Sequence, residues 1–115
     1  MSNVQELAMA EWLRFRGLVI AECSRIGATI PIQIIPGENS LIVKRVEDGE
    51  ALKVLRLQFE PTISRILWRC NNPFSKNGEF YLRPYGEVFL YMENATNIQL
   101  DEIVYRLTMC LTGQL

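Results

Sequence analysis

The three cysteines, Cys23, Cys70 and Cys110, are the side chains best suited to covalent chemistry, because the chain contains no histidine. Cys70 follows Arg69, and a neighbouring cation can make a thiol reactive. A cysteine nucleophile normally needs a histidine base, which this chain lacks. Cys23 and Cys110 fall on apolar helix faces, where cysteine usually packs as a small core residue. We therefore predict no catalytic cysteine, and the wide spacing of an odd number of cysteines predicts neither a zinc site nor a disulfide framework.

The acidic residues cluster at positions that suit structure better than chemistry. The run Glu47–Glu50 has Asp-Gly at its centre, which is typical of a hairpin turn and not of a calcium loop. Asp101 and Glu102 suit the start of a helix, where the helix dipole favours carboxylates. The sequence indicates no pair of carboxylates across a cleft and no glycine-rich phosphate loop. We therefore predict that the protein is not an enzyme and uses no metal and no cofactor.

Arginine and aromatic residues on the predicted strands give the clearest functional signal. Alternation along a strand places them on the face of the sheet opposite to the core. Arginine, tyrosine and phenylalanine are enriched at protein interfaces and in their hot spots. The predicted interface residues are Arg56, Tyr81, Arg83, Tyr85, Phe89 and Tyr91. We predict a non-enzymatic protein-interaction module that forms a homodimer, through stacked sheets or helices, or binds another protein.

Other interpretations of the aromatic residues stay open. Cross-strand pairing of rings with arginine stems stabilises a sheet without binding a partner. Such a face also suits single-stranded nucleic acid, but the net charge of −1 predicts no nucleic-acid partner. The alternative function is a small-molecule-binding domain with an apolar pocket between helix and sheet. That pocket would be lined by Trp12, Phe15, Trp68 and Phe80, residues that also suit an ordinary close-packed core.

The elements that must position these residues begin with a long helix from about Val4 to Ile26, ended by Gly27. Its apolar stripe is predicted to comprise Val4, Ala8, Trp12, Phe15, Val19, Cys23 and Ile26. Segment 30–35 is flanked and interrupted by prolines, which predicts an edge strand or an extended arm that subunits could exchange.

The central part of the chain predicts strands over 41–46, 52–59, 63–70, 79–83 and 87–92. A loop is predicted over 71–78 and a hairpin turn over 84–86. Ile66 and Trp68 are predicted to face the core, and Arg65 and Arg69 to face outward, although a one-residue bulge would reverse this facing. Period two predicts a core face made of Leu55, Leu57, Phe59, Phe80, Leu82, Val88, Leu90 and Met92.

A second helix is predicted to start near Thr96 and to end at Gly113. Its main apolar face is predicted to comprise Leu100, Ile103, Val104, Leu107, Cys110 and Leu111, and a smaller apolar strip nearly opposite is made of Ile98, Tyr105 and Met109. The chain is therefore predicted to form a single α+β domain over residues 1–115. Its two layers are a long N-terminal helix and a C-terminal helix packed on a four- to five-stranded antiparallel meander sheet. Neither a secretory signal nor a long apolar stretch is apparent, which predicts a cytoplasmic protein with no membrane partner.

Overall fold

A computed structural model describes residues 4–72 and 74–113 of the chain. It confirms the α+β two-layer architecture, with an N-terminal helix, an antiparallel sheet and a C-terminal helix. The sheet has seven strands, more than the four or five predicted, in the order of the chain from first to last. The elements are α1 (Val4–Ile26), β1 (Ile32–Pro36), β2 (Ser40–Glu47), β3 (Glu50–Glu60), β4 (Arg65–Asn72), β5 (Phe74–Tyr85), β6 (Val88–Glu93), β7 (Thr96–Ile98) and α2 (Leu100–Thr112).

Helix α1 packs on the sheet through the predicted stripe. Its buried residues are Ala8, Trp12, Phe15, Val19, Cys23 and Ile26. Val4, the first residue of the helix, is half exposed (51%), so the stripe is shorter by one residue than predicted. The helix ends where glycine was expected, since the Gly27 N–H donates to the Cys23 carbonyl at 2.8 Å.

The N-terminal half of the sheet follows the predicted pattern. Strand β1 is an edge strand that pairs with β2 of the same chain, with Ile34 opposite Val43, so the segment is not an arm detached from its own sheet. The β2–β3 hairpin turns at Asp48 and Gly49, whose φ angles are +53° and +79°. These positive values are those that Asp-Gly turns adopt to match the twist of a hairpin.

Strand β6 faces the opposite way from the prediction. A three-residue turn over 84–86 was expected, but Tyr85 pairs with Val88, so the turn is only Gly86 and Glu87. The predicted turn would place Leu82 opposite Val88, three residues before its actual partner Tyr91. A register shift by an odd number of residues reverses which side chains of β6 share a face with those of β5. Leu82 therefore lies opposite Tyr91, which is buried (4% exposed). Phe89 and Tyr91 consequently face the core, and the prediction that they face outward was wrong.

The same turn places Val88, Leu90 and Met92 on the outer side of the sheet, because their partners on β5 are Tyr85, Arg83 and Tyr81. Val88 is 58% exposed, although it was predicted to belong to the core. The predicted loop over 71–78 is also mostly strand, since Ser75 and Asn77 pair with β4. Pairing along an existing strand outweighs the weak strand propensity of this polar, glycine-containing segment.

Helix α2 starts later than predicted, because residues 96–98 form β7 on the edge of β6. Gly113 ends the helix in the left-handed region, at φ +82°. Its buried apolar residues are Ile103, Leu107, Cys110 and Leu111, which belong to the predicted helix face. Ile98 is on β7, so it cannot share a helix strip with Tyr105 and Met109 as predicted.

A disulfide joins β4 to α2 through Cys70 and Cys110, whose Cα atoms are 6.0 Å apart. The prediction of no disulfide was wrong, because Cys70 faces the core and Cys110 lies on the helix face packed above it. Both residues are buried, at 1% and 0% exposed. Cys23 is the remaining cysteine, free and buried, and its burial raises the pKa of its thiol to about 12.

Candidate functional site

The side chains that alternate with the core residues form the outer face of the sheet, on the side opposite to the helices. Four of the six predicted interface residues lie on this face, namely Arg56, Tyr81, Arg83 and Tyr85. From the register, the face also contains Lys44, Gln58, Glu60, Arg65, Leu67, Arg69, Asn77, Glu79, Val88, Leu90 and Met92. Tyr81 and Tyr85 are 39% and 68% exposed.

Two arginines stand directly opposite each other on this face. Arg56 on β3 is the register partner of Arg69 on β4, and both are exposed. Like charges directly opposite on a sheet destabilise it, and within the described ranges neither guanidinium has a hydrogen bond or an ion pair. Sequence reasoning placed Arg69 outward, but only the register shows that it neighbours Arg56.

A groove of about 700 Å³ surrounds this arginine pair. Its outer-face lining is Arg56, Gln58, Leu67, Arg69, Asn77 and Glu79. These side chains come from three adjacent strands, β3, β4 and β5. The groove thus combines two cations, two amides, one carboxylate and the apolar side chain of Leu67. The two cations and two amides suit an anionic ligand with polar neighbours.

The carboxylates beside the groove are already bound by arginines outside the pair. Arg65 donates to Glu60 at 2.6 Å and to Glu79 at 2.9 Å. Glu79 also accepts a hydrogen bond from the Tyr81 hydroxyl at 3.4 Å. The hydrogen bond with Glu60 is the main cause that raises the pKa of Arg65. One guanidinium against two carboxylates leaves this cluster with a net charge of −1. Glu93 also lines the groove and is bound by Arg106 at 2.7 Å. Within the described residues, none of these three acids forms an ion pair with Arg56 or Arg69.

The outer face as a whole is cationic although the chain has a net charge of −1. From β2 to β5 it has two carboxylates, both paired with Arg65, against five cations, Lys44, Arg56, Arg65, Arg69 and Arg83. A local surplus of positive charge attracts anionic partners and repels a second cationic face.

The two other predicted interface residues lie in the core. Tyr91 packs on Phe15, with ring centroids 5.6 Å apart, and donates its hydroxyl proton to Glu11 at 2.5 Å. Burial and the hydrogen bond with Glu11 raise the pKa of Tyr91. Phe89 is half-buried and packs against the core cluster. Neither side chain is placed to contact a partner on the outer face.

The predicted ligand-pocket residues pack against other core side chains. Trp12 stacks on Phe59 at 5.5 Å and donates its indole N–H to the Glu38 carbonyl at 2.9 Å. Trp12, Phe15 and Phe80 are each 0% exposed. Trp68 faces the core side as predicted, stacked beside Phe80 at 6.5 Å.

Trp68 lies against a glycine on the neighbouring strand. A Cβ atom on Gly78 would come within 2.5 Å of the indole nitrogen, so this strand position has room only for hydrogen. Within the described residues, the buried Nε1 of Trp68 has no hydrogen-bond partner. The close approach explains why a glycine occupies the middle of a long strand.

A second groove, of about 880 Å³, lies between the two helices. Its apolar lining is Leu18, Ala21, Leu100, Val104 and Tyr105, and Glu22, Arg25 and Asp101 flank it. Leu18 is 38% exposed and Tyr105 is 63% exposed. We call this surface the helix groove. Sequence reasoning singled out Tyr105 and assigned Leu100 and Val104 to the main apolar face of the second helix, but it did not single out Leu18. The groove itself could not be predicted, because the contact between α1 and α2 that creates it is not visible in the sequence.

Among residues 4–72 and 74–113, no group of three or more His, Cys, Asp or Glu side chains could hold a metal ion. No described helix is both long enough and apolar enough to cross a membrane. Comparisons of the chain with protein-family models, with curated proteins and with solved structures found no match. The two grooves and the cationic outer face are therefore the features of the described residues that bear on function.

Proposed function

We propose that the protein is a non-enzymatic interaction module that forms a homodimer through the helix groove and presents its outer sheet face to another protein. The observation that supports the dimer best is Tyr105. It is the most exposed aromatic side chain of the helix layer, at 63% exposed, and it lies at the rim of an apolar groove. Exposed tyrosines of this kind are typical interface anchors.

The helix groove suits a copy of itself. In a two-fold dimer each surface contacts the same surface of the partner, so a projecting side chain can enter the groove that its own copy also has. In such a dimer, the Tyr105 side chain of each subunit can pack against Leu18 and Val104 of the other subunit. The rim has both charge signs, with the ion pair of Arg25 and Glu22 on α1 and Asp101 on α2. A two-fold arrangement can bring Asp101 of one subunit near Arg25 of the other.

The outer sheet face is less suited to pairing with itself. Its five cations and two carboxylates would meet the same five cations and two carboxylates in a stacked-sheet dimer. Such juxtaposition of like charges is unfavourable. Tyr81, Arg83 and Tyr85 are therefore assigned to a different partner, and the dimer is assigned to the helices.

The test is the mass in solution, measured by size-exclusion chromatography with light scattering over a range of concentrations. We expect twice the 13.3 kDa of one chain. Replacing Tyr105 by Ala is expected to weaken the dimer by about thirtyfold or more, because a buried interface tyrosine contributes about 2 kcal/mol. Tyr85→Ala is the matched control, since Tyr85 is similarly exposed (68%) but lies on the sheet.

The two variants separate the possible results. A monomer at high concentration would overturn the dimer. A dimer that Tyr85→Ala dissociates and Tyr105→Ala leaves intact would place the interface on the sheet instead. The alternative of a small-molecule pocket between the layers gains no support from Trp12, Phe15 and Phe80, which are fully buried against other side chains.

The predicted cytoplasmic location is now opposed by one observation, the disulfide between Cys70 and Cys110. Structural disulfides persist mainly in oxidising compartments. Alkylation of cell lysates with a mass-tagged maleimide, before any reduction, tests the location. One modified cysteine on the denatured chain would indicate an oxidising compartment, and three would support the cytoplasm.

A further inference from the structure

We propose that the groove around Arg56 and Arg69 binds an acidic segment of a partner polypeptide through its side-chain carboxylates. This inference deepens the proposed interaction function, but it rests on the sheet and not on the helix groove. It starts from a feature that folding alone would disfavour, two unpartnered arginines in direct opposition across two strands.

The position of the two arginines suits a carboxylate. Directly opposed residues on neighbouring antiparallel strands have Cβ atoms about 5 Å apart, so both guanidinium groups can reach one ligand group. Each guanidinium offers a planar pair of N–H donors that matches the two oxygens of a carboxylate. Gln58 lies two residues from Arg56 on β3, and Asn77 on β5 is the register partner of Arg69. Both amides can donate further hydrogen bonds to the ligand.

The charges nearby indicate that the missing partner is an anion from outside the chain. Glu60 and Glu79, the carboxylates of this face, are both bound to Arg65. The direct partner of Arg56 on β2 is Ile42. Lys44 lies two residues further along β2, so it is diagonal to Arg56. Lys44, Arg56 and Arg69 therefore contribute three positive charges against the net charge of −1 of the Arg65 cluster. Within the described residues, none of these three cations forms an ion pair with a carboxylate.

A polypeptide fits the rest of the groove better than a nucleic acid does. Leu67 provides an apolar floor beside the arginines, and the exposed Tyr81 and Tyr85 extend the face with rings that suit peptide side chains. In an extended peptide, alternate side chains point the same way about 6.8 Å apart. One acidic residue can thus occupy the arginine pair while the next reaches toward Lys44.

The experiment measures binding of a fluorescein-labelled peptide, about ten residues long, in which glutamate alternates with serine. Fluorescence anisotropy of the full chain gives its affinity, with the matching glutamine–serine peptide as control. We expect Arg56→Gln or Arg69→Gln to weaken binding about tenfold, because each removes charge-assisted hydrogen bonds. The double variant is expected to abolish it. Affinity is also expected to fall as salt is raised.

The matched control is the double variant Lys53→Gln and Lys76→Gln. It removes the same charge, but both residues alternate with outer-face residues and lie on the helix side of their strands. It is expected to bind the acidic peptide within about twofold of the unaltered chain. A comparable loss in both double variants would show attraction by net charge alone and would overturn the site.

Two further results would overturn the proposal. One is failure of the unaltered chain to prefer the glutamate peptide over the glutamine peptide. The other is equal affinity for a single-stranded oligodeoxythymidine of the same charge, with equal loss in the arginine variants, which would assign the site to nucleic acid. Light scattering on the same samples reports the dimer separately, so loss of peptide binding with an intact dimer refutes only the arginine site.

Discussion

Breaking the Cys70–Cys110 disulfide is expected to lower the free energy of unfolding by about 4 kcal/mol. The two cysteines are 40 residues apart in the chain. The chain-entropy model for closing a loop of that length gives a stabilisation of about 4 kcal/mol at 25 °C. This is a large share of the roughly 5–15 kcal/mol that stabilises a typical domain. The bond also fastens α2, whose Ile103 and Leu107 are buried in the core, so its loss would loosen one layer against the other.

Urea unfolding followed by circular dichroism, with and without dithiothreitol, measures the effect without changing any side chain. A double variant, Cys70→Ala with Cys110→Ala, should be insensitive to dithiothreitol and should resemble the reduced chain. Thiol titration of the denatured, unreduced chain should find one free cysteine, Cys23. A stability change below about 1 kcal/mol on reduction, or three free thiols before reduction, would refute the reasoning.

Four other substitutions test the strands, helix α1 and the core. Gly78→Ala should destabilise the chain by about 1–3 kcal/mol, because the new methyl group would meet the indole ring of Trp68 on the opposite strand. Gly17→Ala should instead stabilise the chain by about 0.5–1 kcal/mol, because Gly17 lies in helix α1 and a Cβ atom there would have no neighbour within 4 Å. Urea unfolding measures both changes. Arg69→Gln should leave stability unchanged or raise it by up to about 1 kcal/mol, because it removes a like-charge pair; a clear loss would show that the arginine is structural. Above pH 9–10, where unfolded thiols and phenols ionise, stability should fall by up to about 1.4 kcal/mol per pH unit for each raised group. The pKa values of Cys23 and Tyr91 are both raised by burial, so Tyr91→Phe should flatten the decline above pH 10, and an unaltered slope would refute that assignment.

Features set by local sequence were predictable. The bounds of α1 follow from its apolar spacing and from Gly27, and the β2–β3 hairpin follows from Asp48 and Gly49, whose backbone takes the conformation that this dipeptide favours. Such patterns depend on residues a few positions apart. The information needed to place them is therefore contained in a short window of the chain.

The errors came from features that depend on register or on distant contacts. A turn of two residues at Gly86 and Glu87 replaced a predicted turn of three, and this reversed every side chain of β6, including Tyr91. Thr96 resembled a helix cap, but residues 96–98 pair with β6 as β7. No local pattern could have paired Cys70 with Cys110, because that pairing depends on how α2 lies across β4.

The candidate site likewise has features that the local sequence predicts and features that depend on register or on distant contacts. Sequence alternation was sufficient to place Arg56, Tyr81 and Arg83 on one face, because each lies on a strand whose facing was predicted correctly. The direct opposition of Arg56 and Arg69 requires the β3–β4 register, in which Leu57 pairs with Trp68. The helix groove requires the packing of two helices that are separated in the sequence by all seven strands. The facing of these individual residues could therefore be predicted from the sequence, whereas the surfaces that they form together could not.

The two proposed surfaces are compatible because they lie on opposite faces of a two-layer fold. A dimer formed through Tyr105 covers the helices and leaves both outer sheet faces open to solvent, with the two arginine pairs facing away from each other. A dimer formed through the sheets would bury Arg56 and Arg69 against their copies, where four unpaired cations would lose water without gaining a counter-charge. The same unpaired arginines that indicate an acidic ligand thus argue against a sheet-to-sheet dimer. Because the sites point in opposite directions, each dimer should bind two acidic segments independently, without the gain in affinity that a shared ligand would give.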